Sequence, residues 1–499
     1  MTPDDLLSLS ASEMSRRIEA RDISCLELMQ ASLQRIEELN PTFNALVSLR
    51  APADLLAQAA ARDRELAQGY RLGWMHGFPV AVKDLADAQG LVTTMGSPAT
   101  SREPAARDAL FVERMKSAGA IVIGKSNTPE FGLGSHTYNN VFGTTRNAYD
   151  AARSAGGSSG GAAVSVALGM VPVADGSDMG GSLRNPAAWN NVVGFRPSRG
   201  RVPAVPADDV FYQQLATDGP IGRTVEDVAR LLSTMSGWDD RAPLSLTDLL
   251  ADADGADPIG RAAGKRVGWL GSIWPDLPLE PGIASLCEAA LRKLEEMGCS
   301  VEPCSLAFSR EQNWSTWLQL RQFLVAGRLA RYYADPRTRA LMKPEAIWEV
   351  EQSHSLTAAQ LFQSSAARTS LYQAFRKLFT RFDYLIAPTA QVFPFDAAVH
   401  WPRDVAGVRM DTYHRWMEVV TPFTLAGLPV ASMPVGFNAA GLPMGMQIVG
   451  PARADASVLA VARAYEHACG WTRHRPQAVS RKAGSQAGKQ PGAAEPTRA

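Results

Sequence analysis

Gly77-Phe78-Pro79-Val80-Ala81-Val82-Lys83-Asp84 is an apolar run, opened by a glycine and closed by charge. Phe78–Val82 therefore reads as a buried strand that delivers a lysine at its end. A second short apolar run, Ala120–Ile123, reads the same way, and Arg107–Ser117 between them has helical character. Strand, helix and strand in that order predict an α/β fold with a mixed sheet packed by helices.

Working outward, residues 4–66 read as helices. Leu26, Leu28 and Met29, then Leu33, Ile36 and Leu39, recur at the period of an amphipathic helix, and Pro41 is expected to end it. Downstream the alternation continues with helix Val225–Met235, strand Arg266–Leu270 and helix Gly282–Met297. Residues 306–380 are helical and rich in large aromatics, among them Trp314, Trp317, Phe323, Tyr332, Tyr333 and Trp348. Strands return at Tyr384–Ala387, Val430–Val435 and Met446–Val449, before a last helix over Ser457–His467. A length of 499 residues exceeds the usual single core. No clean linker divides the chain, however, so one large domain over 1–478 is expected. It comprises N-terminal helices at 4–66, a catalytic core at about 70–235 and a helical insertion at about 306–380. Residues 479–499 lack periodicity and read as a disordered tail.

Bulk properties narrow the function. A formal net charge of zero with 20% charged residues argues against a general nucleic-acid or membrane-surface binder. No apolar stretch is long enough for a membrane span. Cys25, Cys287, Cys299, Cys304 and Cys469 are scattered and odd in number, without zinc-site spacing, so reduced thiols in a cytoplasmic protein are expected.

Two motifs match literally and fail mechanistically. Gly119-Ala-Ile-Val-Ile-Gly124-Lys125-Ser126 fits the phosphate-loop pattern, but its intervening residues are themselves an apolar strand rather than a backbone-exposing loop. Gly156-Gly157-Ser158-Ser159-Gly160 fits the nucleophile elbow of α/β-hydrolases, yet a polar loop, not a strand, precedes it. With His354, His400, His414, His467 and His474 downstream, a Ser-His-Asp esterase remains the alternative mechanism.

The chemistry concentrates in three segments: the strand ending in Lys83; Gly156-Gly-Ser158-Ser159-Gly-Gly161 before a small-residue helix, Ala162–Leu168; and Ser177-Asp178-Met179-Gly180-Gly181-Ser182-Leu-Arg184. Amide hydrolysis needs an activated nucleophile, oxyanion stabilisation and a proton for the leaving nitrogen. Ser182 can attack, and the glycines before it leave backbone N–H groups uncovered. A lysine at the end of an apolar strand is desolvated, which favours its neutral, basic form. A second serine between base and nucleophile lets the proton travel in two short steps.

These three segments, in this order, closely resemble the amidase signature family. Gly124–Phe131, Gly143–Asn147 and Gly441–Gly450 resemble further family segments, so the likeness runs from about residue 5 to 475. The resemblance implies a large mixed sheet sandwiched by helices. It also implies Lys83 as neutral base, Ser158 as bridging serine after a cis peptide bond, and Ser182 as the acyl-forming nucleophile. Met179, Gly180, Gly181 and Ser182 would supply oxyanion N–H groups. Ser159, Asp178 and Arg184 would support them. Phe131–Asn139 is expected near the scissile bond, with Leu133, Ser135 and Tyr138 as pocket residues and His136 as structural. Neither cofactor nor metal is implied. Asn185 and Met179 depart from the common family pattern.

The expected activity is therefore hydrolysis of a small-molecule carboxamide, on an apolar aryl or aliphatic amide, without nucleic-acid or membrane partners. The aromatic segment 306–350 is read as a lid over such a group, or as core packing or a homodimer surface. The resemblance also admits a second function, the glutamine-hydrolysing subunit of a tRNA-dependent amidotransferase.

Overall fold

The strand around Lys83 forms, and the computed structural model, which describes residues 1–248, 250 and 262–479, shows what it is attached to. Pro79–Lys83 pairs in parallel with Ile121–Ser126, and Leu46–Val47 closes the far side antiparallel. Both longer strands are buried at every residue, which is what continuous apolar runs support. The second strand extends through Ser126, so Gly124-Lys125-Ser126 is ladder and not a phosphate-binding loop. The connecting helix is Leu110–Ser117, three residues shorter than expected at its start.

The main sheet is separate and mixed, with eight strands. Its order is Ser300–Pro303, Arg266–Trp269, Tyr384–Pro388, Pro443–Val449, Val430–Phe437, Val193–Arg196, Thr217–Gly222 and Val173–Asp178. The first three run parallel to one another and every later pairing is antiparallel. Helices Val225–Met235, Ile283–Glu296, Asp455–Cys469 and Arg184–Trp189 pack on it. Val225, Val228, Leu231, Leu232 and Met235 show why the first of these docks: they form one buried stripe at helical spacing.

Lys83 thus stands on the small sheet, beside the edge strand Val173–Asp178 of the large one. The seam is bridged by a side chain. The Lys83 backbone N–H donates to both carboxylate oxygens of Asp175, at 3.2 and 3.1 Å. Sequence pattern alone does not reveal this join, because the partners are 92 residues apart.

The N-terminal segment folds as helices Pro3–Ser8, Ala11–Ala20, Cys25–Phe43 and Pro52–Ala67. Pro41 does not end the third. The helix runs on to Phe43 and stops at Asn44, a left-handed cap at φ +48° whose N–H donates to Asn40 O. A proline in the last turn forfeits one backbone bond, while the Asn40 side chain accepts from the N–H groups of Ala45 and Leu46 and secures the exit. The insertion is built of Arg310–Ala334, Pro336–Arg339, Pro344–Ser353 and Ala358–Leu378. Trp314 and Trp317 are buried in it, stacked at 5.1 Å. Except for Val479, the tail expected at 479–499 lies outside the described residues.

The helix Gly160–Ala167 sits at the centre with every residue buried. Its glycines are required by close approach: a Cβ on Gly161 would lie 2.3 Å from Asn127 N and 2.4 Å from Ala45 O. Gly161→Ala is expected to destabilise the protein by at least about 2 kcal/mol in urea unfolding, since backbone must move to admit the methyl.

Candidate active site

The two serine segments are brought together by backbone. Ser158 follows a cis Gly157–Ser158 peptide and precedes the central helix, and the Ser159 N–H donates to Ser182 O at 3.1 Å. Lys83 Nζ reaches across the seam to meet them. It lies 2.8 Å from Ser158 Oγ, 2.8 Å from Ser159 Oγ and 3.0 Å from Ser177 Oγ. Lys83 is 1% exposed. Burial drives its ammonium down to about 7, against the opposing pull of Asp175, Asp218 and Asp178. Those carboxyls do not restore the full charge. Burial lifts Asp175 to about 7 and Asp218 to about 6.

Ser182 is 7% exposed, and among the described residues its Oγ has no hydrogen-bond partner; it opens on a cavity of about 840 Å³. Lys83, Ser158, Ser177, Met179 and Gly180 line the same space. Of the four N–H groups expected to hold an oxyanion, that of Gly181 is already taken, donating to Asp178 Oδ1 at 2.9 Å. Those of Met179, Gly180 and Ser182 have no protein acceptor among the described residues.

Asp178 organises this turn from beneath. Its carboxylate accepts from Arg184 Nε and Nη2 at 2.9 Å each and from Leu183 N at 3.2 Å, with Arg196 Nη1 at 3.3 Å. Arg184 also donates to Val420 O, Gln447 Oε1 and Thr424 Oγ1, so its planar fork is fully used. Burial alone would raise the Asp178 carboxyl, but Arg184 and Arg196 hold it well below the usual carboxylate range.

The pocket expectations fare unevenly. Leu133 lines the cavity, with Phe131 and Gly132 beside it. Ser135 and Tyr138 do not. Ser135 Oγ donates to Gly157 O at 2.6 Å and accepts from Asn185 Nδ2 at 3.0 Å, so it braces the peptide before Ser158. Tyr138 turns outward, stacking on His400 at 4.5 Å with its hydroxyl 3.3 Å from Glu345. The loop turns through left-handed backbone at Phe131 (φ +53°) and Gly132 (φ +72°).

His136 is occupied structurally. Its Nδ1 is 2.7 Å from Ser154 Oγ and its Nε2 3.2 Å from Ala397 O. Among the described residues no histidine lines the cavity, so the elbow reading has no base to offer Ser158. Among the same residues, no three His, Cys, Asp or Glu side chains gather as a metal would need. The aromatic insertion is both core and wall: Trp314 and Trp317 are buried, while Phe323, Val325, Leu329 and Tyr332 line the cavity. No described helix is long and apolar enough to cross a membrane.

Asp175, Arg196 and Asp218 are site residues outside the motifs, and Ser177, which opens the third segment, has no role assigned by it. A signal existed for two of them. Asp175 and Ser177 alternate along one strand, so they share a face, and Lys83 touches both.

Comparison with known proteins decides the family. The model of the family described as Amidase matches residues 27–459. The chain belongs to the amidase family. It is 32% identical to an acylamidase of Rhodococcus erythropolis over 485 residues, 95% of this chain and 98% of that one. It is 34% identical to a glutamyl-tRNA(Gln) amidotransferase subunit of Ralstonia nicotianae, over 96% of this chain and all of the relative. The crystal structure of a bacterial aryl acylamidase of the amidase signature family superposes with a TM-score of 0.87 at 31% identity. That match covers 95% of this chain and 98% of the other. The amidase signature fold expected from the motifs is therefore the fold observed.

In this amidase-family chain the Asp178 network is fully buried, and removing its centre strands two guanidinium groups. Asp178→Ala is expected to cost about 3–5 kcal/mol in denaturant unfolding, far more than any exposed pair.

Proposed function

We propose that this protein hydrolyses carboxamides through Lys83, Ser158 and Ser182, by way of an acyl-Ser182 intermediate. One observation carries the reading: a fully buried Lys83 amine, lowered to about 7, sits 2.8 Å from Ser158 Oγ beside a Ser182 that opens on the cavity.

In the first half-reaction Ser158 passes its hydroxyl proton to neutral Lys83 and takes the proton of Ser182. Ser182 Oγ bonds to the amide carbon, and the carbonyl oxygen becomes an oxyanion held by N–H groups of the 179–182 turn. Each such donor is worth about 3 kcal/mol in the transition state. Collapse breaks the C–N bond, and the proton held by Lys83 returns through Ser158 to the leaving nitrogen. Water then adds to the acyl-enzyme by the same route and releases the carboxylate. In the resting geometry Ser182 Oγ makes no hydrogen bond to Ser158 Oγ among the described residues, and the proposed hop requires the two hydroxyls to meet in the substrate complex. Ser159 supports by anchoring Lys83 Nζ and the Ser182 carbonyl at once.

For substrate, an aryl or aliphatic amide is favoured. Phe131, Leu133, Val325 and Tyr332 give the cavity an apolar flank, and the structural relative at a TM-score of 0.87 is an aryl acylamidase. The second reading, a glutamine-hydrolysing subunit, is supported by the amidotransferase relatives. The two differ in requirement: the first acts as purified protein on simple anilides, the second only on glutamine with partner subunits present.

A fluorophosphonate probe followed by peptide mapping is expected to label Ser182; label on Ser158 or Ser159 would point to the elbow instead. Lys83→Ala is expected to lower kcat/KM about 10²–10⁴-fold. Because Lys83 acts as the neutral amine, wild-type kcat/KM should rise with pH through an apparent pKa near 7 and then level. A profile that stays flat from pH 5 to 9 would remove Lys83 as the base.

A further inference from the structure

We propose that Arg321 is a positioning residue for the oxyanion turn, locked by Glu349 and Tyr413 so that the helical insertion holds Met179 and Gly180 in place. The inference rests on the amidase reading and adds to it a group that touches neither base nor nucleophile.

Three elements converge on Arg321, which lies on the Arg310–Ala334 helix and is 3% exposed. Its Nε donates to Glu349 Oε1 at 2.7 Å, from the Pro344–Ser353 helix. Its Nη2 donates to the Tyr413 hydroxyl at 2.8 Å, and that hydroxyl donates in turn to Glu349 Oε1 at 2.5 Å. The triangle is closed and its members hold one another's rotamers. From it, Nη1 reaches Met179 Sδ at 3.4 Å. The guanidinium also lies over Trp317, 5.1 Å from the ring centroid.

Trp317 carries the same restraint one residue further. A Cβ placed on Gly180 would lie 3.1 Å from Trp317 Cζ2, so the indole edge occupies the space a side chain would need there. Met179 and Gly180 thus face Arg321 and Trp317 on the insertion side, while the next residue, Gly181, is held from beneath by Asp178. His414 completes the packing, stacked on Tyr413 at 4.2 Å, with its Nε2 3.6 Å from Glu349 Oε1. Burial keeps that imidazole neutral, so Arg321 carries the charge that Glu349 answers.

A buried ion pair is a poor device for stability, because well-packed apolar side chains serve as well. Its strength is geometric: a guanidinium fork bonded at several points has one orientation. Oxyanion donors need that kind of support, since their effect depends on placement to within a fraction of an ångström.

The test is steady-state hydrolysis of an anilide together with the rate of fluorophosphonate labelling at Ser182. Arg321→Met is expected to lower kcat at least about tenfold with KM changed less than about threefold, and to slow labelling by the same factor. Because that variant leaves the Glu349 side chain buried without its guanidinium partner, the paired variant Arg321→Met/Glu349→Leu is measured beside it. Circular dichroism and thermal melting establish that it is folded. The paired variant is expected to melt near wild type yet keep the loss in kcat, which a purely structural pair would not do. A folded paired variant with wild-type kcat and labelling, or a loss confined to KM, overturns the inference. If wild type itself neither hydrolyses an anilide nor takes label at Ser182, the amidase reading falls, and this one with it.

Discussion

The desolvation of one ammonium group organises this molecule. Lys83 ends a strand of a three-stranded sheet and projects its amine into the seam beside an eight-stranded one. Only 1% of the residue is exposed, and the nearby carboxyls of Asp175 and Asp218 are themselves pushed toward neutrality by burial. A lysine in water stays charged to about pH 10 and cannot accept a proton below it. Here burial lowers that threshold to about 7, and the hydroxyls of Ser158, Ser159 and Ser177 surround the amine in place of water.

The opposite electrostatic choice is made a few residues away. Asp178 is equally buried but meets two guanidinium groups, so it remains fully ionised and spends its lone pairs on backbone N–H groups of the turn and on Arg184. One side of the site therefore weakens the charge of a buried amine, and the other holds a buried carboxylate in its charged form. The distinction lies in partners, not in depth: Lys83 is given neutral hydroxyls, while Asp178 is given fixed cations. In the proposed mechanism both are needed, since the base must titrate near neutrality while the oxyanion donors must not move.

Much of this was legible in the sequence because the chemistry is written in residue types at fixed places. A lysine after an apolar strand, and serines set among glycines, predict a desolvated base and one attacking serine; the distances around Lys83 and the Ser159–Ser182 backbone hydrogen bond show the segments meeting. What was not legible depends on long-range placement. The Asp175 bridge between sheets joins residues 92 positions apart, and nothing in either local pattern names the other. Tyr138 lies away from the cavity because its partners, His400 and Glu345, come from segments more than 200 residues downstream. Helix termination at Pro41 failed for a related reason, since contacts of Asn40 beyond the helix outweighed a local breaker. The aromatic insertion was ambiguous because one helix does both things: Trp314 and Trp317 pack inward, and residues further along it face the cavity.

The most direct test of the account is the titration of Lys83 itself, followed by NMR through the side-chain carbon shifts of isotopically labelled lysine, with Lys83→Arg used to assign the signal. The account predicts one lysine that changes protonation near pH 7, well apart from the surface lysines. A Lys83 signal that remains that of an ammonium group up to about pH 10, as in water, would contradict it.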